Sequence, residues 1–149
     1  MASDATTISA SSNDAEPAQD VARAFVRRLV EGPDLLYLFW PTILAYLRIV
    51  THPTILPRPL TPLEAATNIE RLLIRPHVHA PGESDGFWSL YVDSGGGATR
   101  GNAVPDTHLA TLMRQNGVRV LYTRDRGFRR FDFLDVRDPF SHRVNEGAS

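Results

Sequence analysis

Apolar residues recur along the chain at two different spacings, and these spacings predict helices that alternate with short strands. Apolar side chains three and four residues apart lie on one face of a helix, and this pattern predicts helices at 18–30, 41–50, 62–74, 83–93 and 106–116. Short, mostly apolar runs predict strands at 35–39, near 78, at 118–123 and at 133–136. Because the two kinds of element alternate, we expect an α/β fold with a mainly parallel sheet.

Residues at the predicted helix ends support these boundaries. Pro41 suits a first helical position, since the amide hydrogen that proline lacks would have no helical partner there. The sequence Thr61-Pro62-Leu63-Glu64 is a capping box with proline at the first helical position. Gly117 predicts a stop directly after the helix of residues 106–116.

Composition is ordinary for a soluble globular protein of one domain, with 149 residues, 42% hydrophobic residues and a net charge of −1. The chain has no cysteine, which excludes disulfides and thiolate metal sites and fits a reducing cytoplasm. Its longest uncharged stretch, residues 35–47, is too short to span a bilayer. No signal peptide is expected, since the start lacks a basic segment followed by an apolar one.

The distribution of charge is less ordinary than its sum. Between residues 96 and 130 seven basic residues stand against two aspartates. The seven are Arg100, Arg114, Arg119, Arg124, Arg126, Arg129 and Arg130. A local excess of five positive charges can attract phosphates while the whole chain stays near neutral.

The two aspartates of this region stand at the ends of one predicted unit. Asp106 opens the helix of residues 106–116, and Asp125 follows the strand of residues 118–123. Ligands of open α/β sheets bind outside the carboxyl ends of the strands, which favours a reactive role for Asp125. Taken alone, Asp106 is better explained as a first-turn acid facing the helix dipole. Asp125 is equally explained as a turn residue before Gly127.

The residues around both aspartates carry a family signature. Gly101-Asn102 and a short spacer precede Asp106-Thr107-His108-Leu109-Ala110, and the second block reads Asp125-Arg126-Gly127-Phe128-Arg129-Arg130-Phe131. These blocks resemble the C-terminal signature of PIN domains, specifically the VapC-type toxins of toxin–antitoxin pairs. The block from Trp40 to Ala65 resembles the mid-region helix of that family and the turn after it. The resemblance reaches from about residue 4 to about residue 140 and implies a PIN-like, three-layer fold in which helices flank the sheet.

The resemblance also implies a site for Mg²⁺ or Mn²⁺ in which Asp4, Asp106 and Asp125 are the catalytic metal ligands. Such cations prefer oxygen ligands, and a bound cation can activate water and stabilise the leaving oxygen in phosphodiester hydrolysis. The residues implied to support the ligands are Asn102, Thr123 and Thr6, of which Thr6 stands where relatives have asparagine. The residues implied to bind RNA are Arg124, Arg126, Arg129, Arg130 and Arg48.

The chain departs from the family pattern at three places. Many relatives have an acid where this chain has Gly127, and many have a helix glutamate where it has Ala45. The amino terminus departs most, because only three residues precede Asp4 whereas a strand usually needs about five. Residues 1–12 therefore form either a degenerate first strand or a Ser/Thr-rich disordered terminus of the 1–140 domain. A flexible tail is expected at 141–149.

By resemblance, the expected function is that of a cytoplasmic toxin, a metal-dependent endoribonuclease that cuts structured cellular RNA such as tRNA or rRNA and stops translation. The expected partners are a cognate antitoxin and a second copy of the chain, for which the apolar residues of 35–47 and 62–75 offer contact surface. The main alternative is a degenerate, inactive PIN domain that binds an antitoxin or RNA. A Mg²⁺-dependent phosphatase of another α/β family is disfavoured, because the usual nucleophile motif in a first strand is missing.

Overall fold

The computed structural model describes residues 5–9, 35–53 and 58–138, and five strands within these ranges form one sheet. The strands are β1 (Thr6–Ile8), β2 (Leu36–Tyr37), β3 (Val78–His79), β4 (Val120–Tyr122) and β5 (Asp135–Arg137). Their order across the sheet is β3-β2-β1-β4-β5, and every pairing is parallel. The expected α/β fold is thus confirmed, and all five described strands end at the same edge.

Four helices surround this sheet in the described ranges: α1 (Trp40–Thr51), α2 (Pro62–Leu73), α3 (Phe87–Asp93) and α4 (Ala103–Gln115). Two 3-10 helices, Gly96–Ala98 and Arg126–Arg130, complete the elements. We call the second the arginine turn. None of the helices in the described ranges has the length and apolar character needed to cross a bilayer.

Local sequence explains the helix boundaries. The capping box at α2 is confirmed by two hydrogen bonds, since the Glu64 amide donates to Thr61 Oγ1 and the Thr61 amide donates to Glu64 Oε1. Pro41 lies in the first turn of α1. Gly117 ends α4 with a φ of 70°, a left-handed conformation that glycine adopts without steric cost.

The core has two halves, one on each face of the sheet. Ile8 and Leu36 pack with buried residues of α1 and α2 on one face. Leu121 and Phe128 pack with buried residues of α4 on the other. The sheet is therefore a middle layer between helices, as expected, and its central strands are covered on both sides.

Several predicted elements have other bounds than the sequence indicates: the strand predicted at 118–123 is Val120–Tyr122, and the helix predicted from Asp106 begins earlier, at Ala103. The helix predicted at 83–93 begins at Phe87, because Gly86 has a φ of 83° and the Gln115 side chain donates from Nε2 to the Ser84 and Asp85 carbonyls. These bonds hold the preceding segment as a loop. The strand predicted at 133–136 is β5, and it begins at Asp135. The cause is a turn, in which the Leu134 amide donates to the Phe131 carbonyl.

The first strand is present, but it lies later than Asp4. The Thr6 amide donates to the Leu35 carbonyl, and the Ser9 amide donates to the Tyr122 carbonyl, so β1 is held from both sides. Of the earlier predictions, Asp4, the helix at 18–30 and the tail at 141–149 lie outside the described residues.

Candidate active site

Asp125 follows β4 at the carboxyl edge of the sheet, where two hydrogen bonds fix it. Its amide donates to Thr123 Oγ1 at 3.0 Å, and the Thr123 side chain is buried. Its own Oδ1 accepts the Gly127 amide hydrogen at 2.9 Å and thereby caps the arginine turn. The turn-forming role of Asp125 is therefore real, and it orients the carboxylate toward the neighbouring helix end.

Asp106 reaches the same place from the first turn of α4. Its side chain is 22% exposed, and Oδ2 lies 3.7 Å from Nη2 of Arg130. Burial raises the pKa of Asp106 from 3.8 to about 6, repulsion from Asp125 adds to this rise, and Arg130 opposes it. The two carboxylates are neighbours at Gly127, and an acid with such a pKa in a polar site is a functional candidate.

Gly127 lies where the two carboxylates meet. A Cβ atom added at this glycine would stand 3.1 Å from Asp125 Oδ1, 3.3 Å from Arg130 Nη1 and 3.7 Å from Asp106 Oδ2. The φ of Gly127 is not in the left-handed range, so backbone geometry does not demand glycine here. The missing side chain instead leaves a small space that is lined by two carboxylates and one guanidinium.

The side chains of the arginine turn lie on three separate faces, because a 3-10 helix has three residues per turn. Phe128 is buried against the core, and Phe131 after the turn is buried beside it. Gly127 and Arg130 face the carboxylates, and Arg130 Nη1 donates to the Gly127 carbonyl at 2.7 Å. The third face carries Arg126 and Arg129, which are exposed.

The other predicted site residues do not all lie near the two carboxylates. Thr6 pairs with Val120, at the opposite end of β4 from Asp125. Asn102 is exposed just before α4 and makes no side-chain cap. Arg124 Nε lies 3.9 Å from Asp138 Oδ2. Arg48 lies on α1, about 12 Å along the helix from its start at eight residues of 1.5 Å each. The structure thus joins Asp106, Asp125 and Thr123, whereas Thr6 lies apart from them.

Ser9 is a residue that the sequence patterns did not single out. It directly follows β1, is buried, and bonds through its amide to Tyr122, which places it at the carboxyl edge beside the end of β4. The signal that could have found it is the position of the first strand, which the short amino-terminal pattern did not define.

The donor set fits a single hard divalent cation. Among the described residues, no third Asp, Glu or His joins the two carboxylates to form a larger metal-binding group. Mg²⁺ is commonly held by one or two carboxylates, with waters and substrate phosphates filling the remaining positions. The space at Gly127, where carboxylates from two elements face each other, is consistent with such a cation.

Comparison with known proteins adds an independent observation. The chain is 48% identical over 128 residues to Ribonuclease VapC48 of Mycobacterium tuberculosis, covering 85% of this chain and 88% of that protein. Among solved structures it resembles Mycobacterium tuberculosis VapC20, a sarcin-ricin loop cleaving toxin, with a TM-score of 0.56, 12% identity and 84% and 93% of the two chains covered. It also resembles VapBC2 from Rickettsia felis bound to a promoter DNA fragment, with a TM-score of 0.54, 10% identity and 90% and 98% covered. No family model matches the chain.

Proposed function

Because the chain belongs to the VapC family of ribonucleases, we propose that it is an Mg²⁺- or Mn²⁺-dependent endoribonuclease and the toxin of a toxin–antitoxin pair. The observation that carries this proposal is the convergence of Asp106 and Asp125 at Gly127, next to a turn with three arginines. Two neighbouring carboxylates repel each other, which lowers the stability of the fold unless a cation is bound between them.

Different residues of the chain would have different roles in such a reaction. Asp106 and Asp125 would hold the cation, which when bound supplies an activated water and neutralises charge on the phosphodiester. The Gly127 amide and Thr123 Oγ1 fix Asp125 in place before any ligand arrives. Asp106 must release its proton to act as a ligand, so cation binding is expected to be coupled to proton release near pH 6. Arg126 and Arg129 are exposed on the turn that Asp125 caps and suit contacts to backbone phosphates.

We further propose that the substrate is a structured cellular RNA, such as a tRNA or rRNA loop. The support is the family membership together with VapC20, which is described as cleaving the sarcin-ricin loop. Endonucleases of this kind need unpaired nucleotides that can enter a site, and loops of folded RNA offer them. The exposed arginines supply affinity for the backbone without reading its sequence.

The proposed partners are a cognate antitoxin and a second copy of the chain. Most apolar residues of the 35–47 segment are buried in the core, but Trp40 and Leu44 are 43% and 60% exposed on one face of α1. Leu63 at the start of α2 is 76% exposed. Exposed apolar side chains on α1 and α2 offer contact surface of the kind that protein interfaces use. Light scattering of the lone chain tests the dimer, which Leu44→Glu should weaken if α1 lies in the interface; a monomer at tens of micromolar would contradict it.

One observation keeps a second function in view. Only two carboxylates converge among the described residues, so a catalytically inactive PIN domain that binds an antitoxin or RNA is the competing proposal. Both an active nuclease and an inactive domain can bind RNA, but only the active nuclease cuts it.

A cleavage assay separates them. Purified protein is incubated with total RNA in Mg²⁺, in Mn²⁺ and in EDTA, beside Asp106→Asn and Asp125→Asn. Asp132→Asn serves as the matched control, since Asp132 is an exposed acid directly after the same turn. We expect cutting by the wild type and the control, and a loss of about a hundredfold or more in either site variant. Cutting that persists in EDTA would contradict metal-dependent catalysis, and RNA binding without cutting would support the inactive domain.

A further inference from the structure

Arg130 differs from the other arginines of its turn in what its guanidinium contacts. Nη1 donates to the Gly127 carbonyl at 2.7 Å, and Nη2 lies 3.7 Å from Asp106 Oδ2 and 3.5 Å from the Ala103 carbonyl. The same group covers the Phe131 ring, with 4.5 Å between the guanidinium carbon and the ring centroid. One side chain therefore touches the arginine turn, the start of α4 and the aromatic core.

These contacts join the two elements that carry the carboxylates. Asp106 stands on the first turn of α4, and Asp125 caps the arginine turn. The two elements come from opposite ends of a helix–strand unit, so local sequence does not fix the distance between them. Arg130 spans that gap with one planar group, and the absence of a side chain at Gly127 leaves room for Nη1 to do so.

The neighbouring arginines of the same turn lie on a different face. Arg126 and Arg129 lie three residues apart and share the exposed face of the turn, whereas Arg130 faces Asp106. Family resemblance groups all four arginines of this segment as RNA contacts. The geometry separates them by the direction in which each charge points.

We propose that Arg130 is a positioning residue of the carboxylate site, which holds Asp106 against the arginine turn, and that Arg126 and Arg129 are the residues of this turn that contact RNA. The proposal rests on the proposed function, because a site for a cation and a phosphodiester is what the positioning serves. Lysine cannot replace Arg130 in this role. Its ammonium is a compact point charge, whereas three oxygen atoms in different directions require the fork of a guanidinium.

Charge-preserving substitutions give the sharpest test. Arg130→Lys removes the fork and keeps the charge, and Arg129→Lys makes the same change on the exposed face of the same turn. Mn²⁺ affinity is measured by calorimetry without RNA, RNA affinity by fluorescence anisotropy in EDTA, and the cleavage rate at saturating RNA. Circular dichroism melts verify the fold of each variant.

We expect Arg130→Lys to lower Mn²⁺ affinity and the saturating cleavage rate by about tenfold, the range typical of residues that orient metal ligands. Its RNA affinity should stay within about twofold of the wild type, because the charge is kept. Arg129→Lys should leave Mn²⁺ affinity unchanged, because Arg129 lies on the exposed face of the turn. The double variant Arg126→Gln/Arg129→Gln should weaken RNA binding and flatten its salt dependence while Mn²⁺ affinity is retained.

Equal Mn²⁺ affinities in Arg130→Lys and Arg129→Lys would overturn the proposal. So would a loss of RNA affinity in Arg130→Lys as large as that of the double variant. If the wild type binds no Mn²⁺ and cuts no RNA, the proposed function fails, and hydrogen exchange then decides the positioning role alone. Exchange at residues 101–107 and 125–131 should rise in Arg130→Lys and not in Arg129→Lys, and unchanged exchange would refute the tie between the two elements.

Discussion

Replacing Asp106 by asparagine is expected to stabilise the metal-free protein at neutral pH while it removes activity. The reason is the pKa of Asp106, which burial and repulsion from Asp125 raise from 3.8 to about 6 in the folded state. An acid whose pKa is higher in the folded state than in the unfolded state costs stability once it ionises. Asparagine has a similar shape and carries no charge, so it removes that cost.

The magnitude follows from the size of the pKa change. A rise from 3.8 to about 6 corresponds to an upper limit of about 3 kcal/mol at neutral pH. The side chain is 22% exposed and its partner Arg130 is 41% exposed, so solvent screens part of the interaction. We therefore expect a gain of about 1–2 kcal/mol in the free energy of unfolding.

The pH dependence fixes the sign of the effect. Between about pH 4 and pH 6 the unfolded chain has released the Asp106 proton and the folded chain still holds it, so this group makes stability fall as pH rises. The advantage of Asp106→Asn should be full above about pH 6 and absent below about pH 4. Urea unfolding in EDTA across this range measures it, with Asp132→Asn as a control that should change stability by less than about 0.5 kcal/mol.

A cation should reverse the order of stabilities. Saturating Mn²⁺ at about a hundred times its dissociation constant should stabilise the wild type by about 2.7 kcal/mol, and should stabilise Asp106→Asn far less. The reasoning would be refuted if Asp106→Asn were no more stable than the wild type in EDTA at about pH 7.5. It would equally be refuted by a difference that persists unchanged at about pH 4.

Three further predictions follow from individual contacts. Gly127→Asp adds a third carboxylate at the meeting point of Asp106 and Asp125, and Gly127→Asn makes the same Cβ contacts without the charge; relative to Gly127→Asn, calorimetry should show tighter Mn²⁺ binding, and urea unfolding in EDTA a further loss of about 1–2 kcal/mol from added repulsion. Phe128→Ala empties a fully buried ring site beneath the arginine turn, and urea unfolding should show a loss of about 3–5 kcal/mol; a loss below about 1 kcal/mol would contradict the core placement. Thr61→Ala breaks the capping box of α2, and thermal unfolding should reveal a cost of about 1 kcal/mol, unlike Thr67→Ala within the helix.

The sequence predicted those features that local rules decide. The capping box and the stop at Gly117 each depend on a few adjacent residues, and each is confirmed; of the apolar strand predicted at 35–39, Leu36–Tyr37 is observed. The approach of Asp106 to Asp125 was predictable as well, because helix starts and strand ends meet at one edge of a parallel sheet.

The remaining features depend on distant contacts. The start of α3 is set by Gln115, about thirty residues away, which no local pattern reveals. β1 consists mainly of threonines without a clear alternation, and its place is set by Leu36 and Val120 on either side. The special role of Arg130 could not be separated from its neighbours until the turn was known to have three residues per turn rather than 3.6.

The three-residue period of the arginine turn also limits how the chain length can vary here. A point substitution changes only one face of the turn. The core packing, the carboxylate geometry or the exposed charge can therefore change without the other two. Inserting or deleting one residue instead rotates everything after it by about 120°, which would bring Arg129 into the place of Arg130 or a charged group into the place of Phe131. In this segment a substitution should therefore affect one function at a time, whereas a change in length should disturb all three faces together, in contrast to ordinary surface turns.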